Sequence, residues 1–245
     1  MLLNKEFWTK ADGEAFQEYL LTFSKGEEKG AWEKRIVNTA LPAIAVPCNE
    51  TDRIVREVAK GNFLSFLNLN LREYHTNVLI NGKLIGKIKD FEEMKRRLIA
   101  FDVLADNWAA TDCIKFKITG KNKQKFFDLA LELLNDTAHT FVRRQGLIIL
   151  LKLTAFPECI QDILRAADSL ESETEYYVNM ANAWLICECF ARAREQTLAY
   201  LQCGVNGNGA PHLNAFTVNK AIAKCRDSFR VSAEDKQALL RFKRQ

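Results

Sequence analysis

Two side chains with the potential for chemistry, the indole of Trp108 and the carboxylate of Asp112, lie four residues apart in the chain. On a helix this spacing puts one above the other on the same face, and Asp106 or Asn107 is the expected N-cap. A carboxylate beneath an indole is an unusual choice for a packed core, so the pair is a candidate functional site. The alternative is a structural role for Asp112, in a salt bridge to a lysine such as Lys115.

Familiar catalytic and cofactor motifs are absent from the sequence. It contains no Gly-rich phosphate loop, no His-Glu-x-x-His, no Gly-x-Ser-x-Gly and no paired-histidine spacing. The three histidines, at 75, 139 and 212, stand apart and are expected to be surface or capping residues. Seven cysteines without a Cys-x-x-Cys spacing are typical of free thiols in a reducing compartment. The sequence therefore predicts no metal site and no cofactor.

Charge is segregated along the chain although the net charge is only +4. Residues 220–245 carry eight basic and three acidic side chains, and residues 113–127 carry five lysines and no acid. Residues 158–175 hold six acids and one arginine. This pattern suits a protein with one face toward a polyanion, although lysines that merely solvate helix ends would give the same counts.

Composition and hydrophobic spacing predict an all-α fold. The chain has 245 residues, 48% apolar and 27% charged, with only 11 glycines and four prolines, so globular helices are favoured over a loop-rich fold. Apolar side chains recur at helical spacing over 91–101 and 126–133. Expected helix starts lie at Asp90, Pro157, Ser172 and Ser232. No apolar run is long enough to span a membrane, and no signal peptide is evident, so we expect a cytoplasmic, soluble monomer.

A weak internal repeat predicts how the helices are arranged. Helical segments around Trp108, Arg144, Trp184 and Ile222 are separated by 36, 40 and 38 residues, and each follows another helix. This period is close to that of HEAT-like repeats, although all-α chains also give such periods by chance. We predict one domain over 1–245, a right-handed α–α superhelix of HEAT-like helical repeats. In it, the first three of these residues would be neighbours on the concave side.

Several strings resemble one known family, the AlkD-like glycosylases of the DNA alkylation repair family. They are Asn-Trp-x-x-x-Asp at 107–112, Phe-Val-Arg-Arg-Gln-Gly-Leu at 141–147, Tyr-Tyr-Val-Asn-Met-Ala-Asn-Ala-Trp at 176–184, and the tail that begins Asn-Lys-Ala-Ile at 219. The similarity extends from about residue 60 to the C-terminus. It implies HEAT-like repeats, and excision of N3- and N7-alkylated purines from double-stranded DNA.

By the same resemblance, Trp108, Asp112, Arg144 and Trp184 lie in the active cleft. A cationic purine leaves as a neutral base, so a fixed carboxylate at Asp112 need only stabilise the developing sugar cation and orient water. The two indoles would hold the cationic nucleotide, and Arg144 would grip a phosphate.

Further basic residues are expected to contact the DNA backbone. They are Lys115, Lys117, Arg143, Lys220, Lys224, Arg226 and Arg230. The alternative function is a non-catalytic HEAT-like module that binds DNA or protein.

Overall fold

The computed structural model describes residues 1–207 and 209–245, and this part of the chain is helical without any strand. The all-α fold expected from the sequence is thus confirmed. The described residues form fourteen α-helices and two short 3₁₀ helices, at Pro157–Cys159 and Leu239–Phe242. The α-helices are α1 (Lys10–Leu21), α2 (Glu27–Val37), α3 (Cys48–Val58), α4 (Phe63–Asn68), α5 (His75–Ile85), α6 (Phe91–Val103), α7 (Trp108–Asp112), α8 (Lys123–Leu134), α9 (Thr140–Leu153), α10 (Ile160–Asp168), α11 (Tyr176–Arg192), α12 (Arg194–Cys203), α13 (Ala215–Asp227) and α14 (Ala233–Ala238).

The helices group into two compact units. Met1–Lys117 contains α1 to α7, and Ile118–Gln245 contains α8 to α14. A single repeat domain over the whole chain remains a prediction.

In the first unit, α5 is the central helix. It packs against α3, α4, α6 and α7. The helical stripe expected on α6 faces inward, since Met94, Leu98 and Phe101 are all buried. An edge-to-face cluster of Trp8, Phe16 and Phe66, with ring centroids 4.9 to 5.8 Å apart, builds the core near the N-terminus.

In the second unit, alternate helices stack on one another. Helix α11 packs against both α9 and α13, while α8 packs against α9 and α10 against α11. Arg144, Trp184 and Ile222 lie on α9, α11 and α13, so the repeat in the sequence corresponds to this alternation. Gly146 allows the close approach of α8 to α9, because a Cβ there would lie 2.8 Å from the Ala130 carbonyl oxygen.

Most expected helix starts are confirmed, and one is wrong. The side chains of Asp90 and Ser232 accept hydrogen bonds from backbone N–H groups three residues on, and Pro157 opens a 3₁₀ helix. Ser172 caps no helix, because α11 begins four residues later at Tyr176. The carboxylate of Glu173 instead accepts from the backbone N–H groups of the next two residues, which holds this stretch as a loop.

None of the helices that the structure describes combines the length and the apolar character needed to cross a bilayer.

Candidate active site

The short helix α7, which carries Trp108 and Asp112, begins at an N-cap formed by the side chain of Asn107. Asn107 is fully buried, and its Oδ1 accepts from the backbone N–H of Ala110 at 3.1 Å. Its Nδ2 donates to Asp106 at 2.7 Å. Of the two cap candidates, Asn107 is therefore the one that caps the helix.

Asp106 ties the start of α7 to the loop that follows α2. Its carboxylate accepts from the hydroxyl of Thr39 at 2.8 Å and from the backbone N–H of Ala40 at 2.7 Å. Burial opposes ionisation of Asp106, but the bonds from Asn107, Ala40 and Thr39 outweigh burial and lower its pKa. An ionised carboxylate thus anchors the chain just before the cap of α7.

Trp108 and Asp112 are both half-buried, so each keeps part of its side chain open to solvent. The indole Nε1 lies 3.5 Å from the carbonyl oxygen of Ile36. The Thr111 hydroxyl lies 2.9 Å from the Trp108 carbonyl oxygen and 3.1 Å from Asp112 Oδ1. The indole and the carboxylate are therefore held on one helical turn.

The alternative role for Asp112, a salt bridge to a lysine such as Lys115, stays a prediction. The Lys115 side chain is exposed and lines a pocket with Asp52 and Lys83.

The end of α7 packs directly on α5. The Cys113 Sγ lies 3.7 Å from the carbonyl oxygen of Leu79, and a Cβ on Gly82 would lie 3.0 Å from the same sulfur. Burial raises the pKa of the Cys113 thiol to about 12. This thiol therefore stays protonated at neutral pH, so it packs without serving as a nucleophile.

Arg144 and Trp184, the other two predicted site residues, lie on packed neighbours in the second unit. Arg144 is only 5% exposed, and its Nη1 donates to the carbonyl oxygen of Tyr177 at 2.6 Å. Trp184 is half-buried on α11. It follows Tyr177 by seven residues, so both lie on the same face of the helix.

The four predicted residues are thus divided between the two units. Trp108 and Asp112 share α7, whereas Arg144 and Trp184 lie on α9 and α11. The convergence of the two pairs on one surface stays a prediction.

Two arginines expected to bind DNA form ion pairs within the protein. Arg143 Nε donates to Glu173 at 2.7 Å, and these side chains are 11% and 7% exposed. Arg230 Nη1 donates to Glu188 at 2.9 Å, and Arg230 lowers the pKa of that carboxyl group. Their charges are therefore partly neutralised by nearby carboxylates.

The other expected DNA-binding residues lie at the surface. Lys115 and Lys117 are exposed just after α7. On α13, Lys220 and Arg226 are exposed and Lys224 is half-buried. The Lys220 ammonium also lies 5.6 Å from the centre of the Phe216 ring.

Two asparagines in the string at 176–184 hold the repeat together. Asn179 Oδ1 accepts from the Thr217 hydroxyl at 2.8 Å, which joins α11 to α13. Asn182 Nδ2 donates to the carbonyl oxygen of Ala167 at 3.0 Å, which joins α11 to α10. Part of this specific string therefore reflects packing.

The histidines differ partly from expectation. His75 is not a surface residue, since it is 1% exposed and its Nδ1 lies 2.9 Å from Glu33. The reason is that the first turn of α5 is inside the unit. His139 is the residue before α9, and His212 is exposed. In the described part of the chain, no group of three or more His, Cys, Asp or Glu side chains is arranged to hold a metal ion.

One family model matches most of the chain. It is described as "DNA alkylation repair enzyme" and matches residues 25–225, which include α7 and all four predicted site residues. No curated protein and no solved structure matches the chain significantly.

Proposed function

The chain belongs to the DNA alkylation repair enzyme family, and on this basis we propose that it is a DNA N-glycosylase. Its substrates are N3- and N7-alkylated purines in double-stranded DNA. The observation that carries the proposal is the placement of Trp108 and Asp112 on one capped turn, with both side chains partly open to solvent.

Cleavage of the bond between an alkylated purine and its sugar requires little from the protein other than a fixed negative charge near the sugar. An alkyl group on N3 or N7 makes the purine cationic and weakens its bond to the sugar. As that bond breaks, the base leaves neutral and the sugar acquires oxocarbenium character. No general acid is then needed, and the Asp112 carboxylate stabilises the sugar cation and orients the attacking water.

The hydrogen bonds that anchor α7 support this role. A preorganised charge stabilises a transition state because the charge does not have to reorient as the reaction proceeds. The Asn107 cap and the bonds of Asp106 to Thr39 and Ala40 hold the first turn of α7. Trp108 presents its indole face to the cationic nucleotide.

The second unit supplies Arg144 and Trp184. In the proposal, Trp184 contacts the modified nucleotide, and Arg144 binds a phosphate next to it through its guanidinium. The bond from Arg144 to Tyr177 orients this guanidinium on the helix that carries Trp184.

The direct test is the release of 7-methylguanine from methylated duplex DNA, measured by chromatography of the free base. We expect release by the wild-type protein, and none above background by Asp112→Ala after the same incubation. A wild-type protein that binds duplex DNA but releases no alkylated base would favour the non-catalytic module instead.

A further inference from the structure

A basic pocket lies in the first unit, beside α7. It has a volume of about 220 Å³. The residues that line it are Asp52, Val55, Arg56, Lys83, Lys87 and Lys115. We call this set the basic pocket. Four cationic side chains face one carboxylate there, so the pocket has an excess of three positive charges.

The single carboxylate of the basic pocket is already engaged. Lys83 Nζ lies 2.6 Å from Asp52 Oδ1, and the Lys83 side chain is only 15% exposed. This hydrogen bond lowers the pKa of Asp52, and the charges of Lys115 and Arg56 lower it further. Lys83, Arg56 and Lys115 all line the basic pocket with Asp52.

The three cations of the basic pocket that form no ion pair with Asp52 are available to a ligand. Arg56, Lys87 and Lys115 are exposed, and none of their side chains forms a hydrogen bond or a close ion pair with any residue that the structure describes. Like charges held close together repel, and an anion placed between them relieves this repulsion. The basic pocket therefore favours an anionic ligand.

The position of Lys115 is fixed by a close backbone approach. A Cβ on Gly86 would lie 2.6 Å from the Lys115 carbonyl oxygen, so only glycine allows the chain to pass here. Lys115 follows Asp112 by three residues, which span at most about 10 Å when extended. The basic pocket is therefore a near neighbour of the proposed catalytic carboxylate.

We propose that the basic pocket binds a phosphate of the double-stranded DNA backbone near the nucleotide that faces Asp112. This inference rests on the proposed function. A carboxylate close to DNA repels the phosphates on either side of the lesion, and a cation cluster beside it offsets this repulsion. The ligand is a phosphodiester of a long strand, because three of the four cations are exposed rather than enclosed around a small ion.

The proposal is tested by binding of undamaged duplex DNA, measured by fluorescence anisotropy over a range of salt concentrations. The test protein is the full chain with Arg56→Ala and Lys87→Ala together. We expect affinity to fall about three- to tenfold. The slope of log affinity against log salt should become shallower by about 0.9 for each phosphate that the variant no longer neutralises.

Two further variants sharpen this test. Lys60→Ala is the matched control, because Lys60 is exposed beyond the end of α3 and pairs with Glu57 outside the basic pocket. It is expected to bind as wild type. Asp52→Asn removes the one negative charge of the basic pocket and should tighten binding. Melting temperatures of all variants establish that they are folded.

Affinity and salt slope of Arg56→Ala/Lys87→Ala equal to those of Lys60→Ala would overturn the proposal. So would inorganic phosphate that displaces duplex DNA from the wild type at concentrations too low to act through ionic strength, since that result indicates a free-anion site. The binding experiment uses undamaged DNA from which no base is released. Its result therefore does not depend on whether the protein is active in the glycosylase assay. If Arg56→Ala/Lys87→Ala binds DNA as wild type and still excises the alkylated base, the role of the basic pocket is overturned and the proposed glycosylase function is not.

Discussion

The guanidinium of Arg144 donates a hydrogen bond to the backbone carbonyl of Tyr177, with 2.6 Å between Nη1 and the oxygen. It joins α9 to the first turn of α11, the helix that carries Trp184. A hydrogen bond from a charged donor stabilises the fold by about 1.5–3 kcal/mol. Arg144 therefore stabilises the packing of α9 on α11 in the second unit, in addition to its proposed role in binding a phosphate.

The first prediction concerns that bond. Arg144→Met keeps a long side chain but removes the donors, so the free energy of unfolding should fall by about 1.5–3 kcal/mol. Lys152→Met is the matched control, since Lys152 lies exposed on the same helix. Denaturant unfolding measures both. Equal stability of the two variants would contradict the structural role of Arg144.

The second prediction concerns Arg143, which the sequence pattern assigned to DNA binding. Its partner Glu173 is 7% exposed, so Arg143→Ala leaves this carboxylate without its cation and with only the backbone N–H groups of Thr174 and Glu175 as donors. Loss of the charged hydrogen bonds should cost about 1.5–3 kcal/mol of stability. The double variant Arg143→Ala/Glu173→Ala should recover part of it. A fully stable Arg143→Ala protein with weakened DNA binding would show that Arg143 acts on DNA instead.

The third prediction is a pH dependence of stability. Asp102 is 1% exposed, and neither of its carboxylate oxygens has a hydrogen-bond partner among the described residues. Burial raises its pKa well above the usual value. The folded state therefore keeps a proton that the unfolded state releases above pH about 3.9, and stability falls as the pH rises.

Asp102→Asn is neutral in both states, so it should be more stable than wild type at pH 7. The difference should grow by about 1.4 kcal/mol per pH unit above pH about 3.9, up to the folded-state pKa. Below pH about 3.9 the two proteins should unfold alike. Thermal unfolding at several pH values checks this, and a constant difference at all pH values would be inconsistent with a buried neutral Asp102.

The fourth prediction concerns the basic surface of α13. Replacing Lys220, Lys224 and Arg226 by Ala should weaken binding to all DNA sequences alike and make the salt dependence shallower. Lys236→Ala, on α14, provides a comparison with a lysine outside this set. Unchanged affinity, or affinity indifferent to salt, would point to a protein partner instead.

Local features of the sequence predicted the helices well because they depend on near neighbours. The inward stripe of α6 and the caps at Asp90, Asn107 and Ser232 follow from spacing and side-chain type. The helix start expected at Ser172 was wrong because the carboxylate of the neighbouring Glu173 binds a backbone N–H group and the side chain of Arg143. Arg143 and Glu173 are 30 residues apart in the chain. An ion pair at that separation leaves no trace in local spacing.

The site was predictable only in part for the same reason. Trp108 and Asp112 are four residues apart, so their shared face follows from helical geometry. The basic pocket collects side chains from α3, the end of α5 and the segment after α7, and only Lys115 stood out in the sequence. A cluster of side chains from distant segments can be identified only when the packing of the helices is known.

Substitutions of Trp108 and Asp112, the two proposed functional residues of α7, should have different effects. Trp108→Ala removes the aromatic face and should impair both lesion binding and rate, whereas Asp112→Asn removes only a charge. DNA affinity of Asp112→Asn should stay level or rise slightly, because one repulsion with phosphate is removed.

The central claim is tested most directly by the single-turnover rate of 7-methylguanine release by Asp112→Asn, measured beside wild type and corrected for the folded fraction. Loss of one preorganised charge at such a site typically costs a factor of about 10²–10³ in rate, and we expect a decrease of that size at unchanged melting temperature. A lower melting temperature with an unchanged rate for the folded protein would show that Asp112 is structural, and would contradict the proposed mechanism.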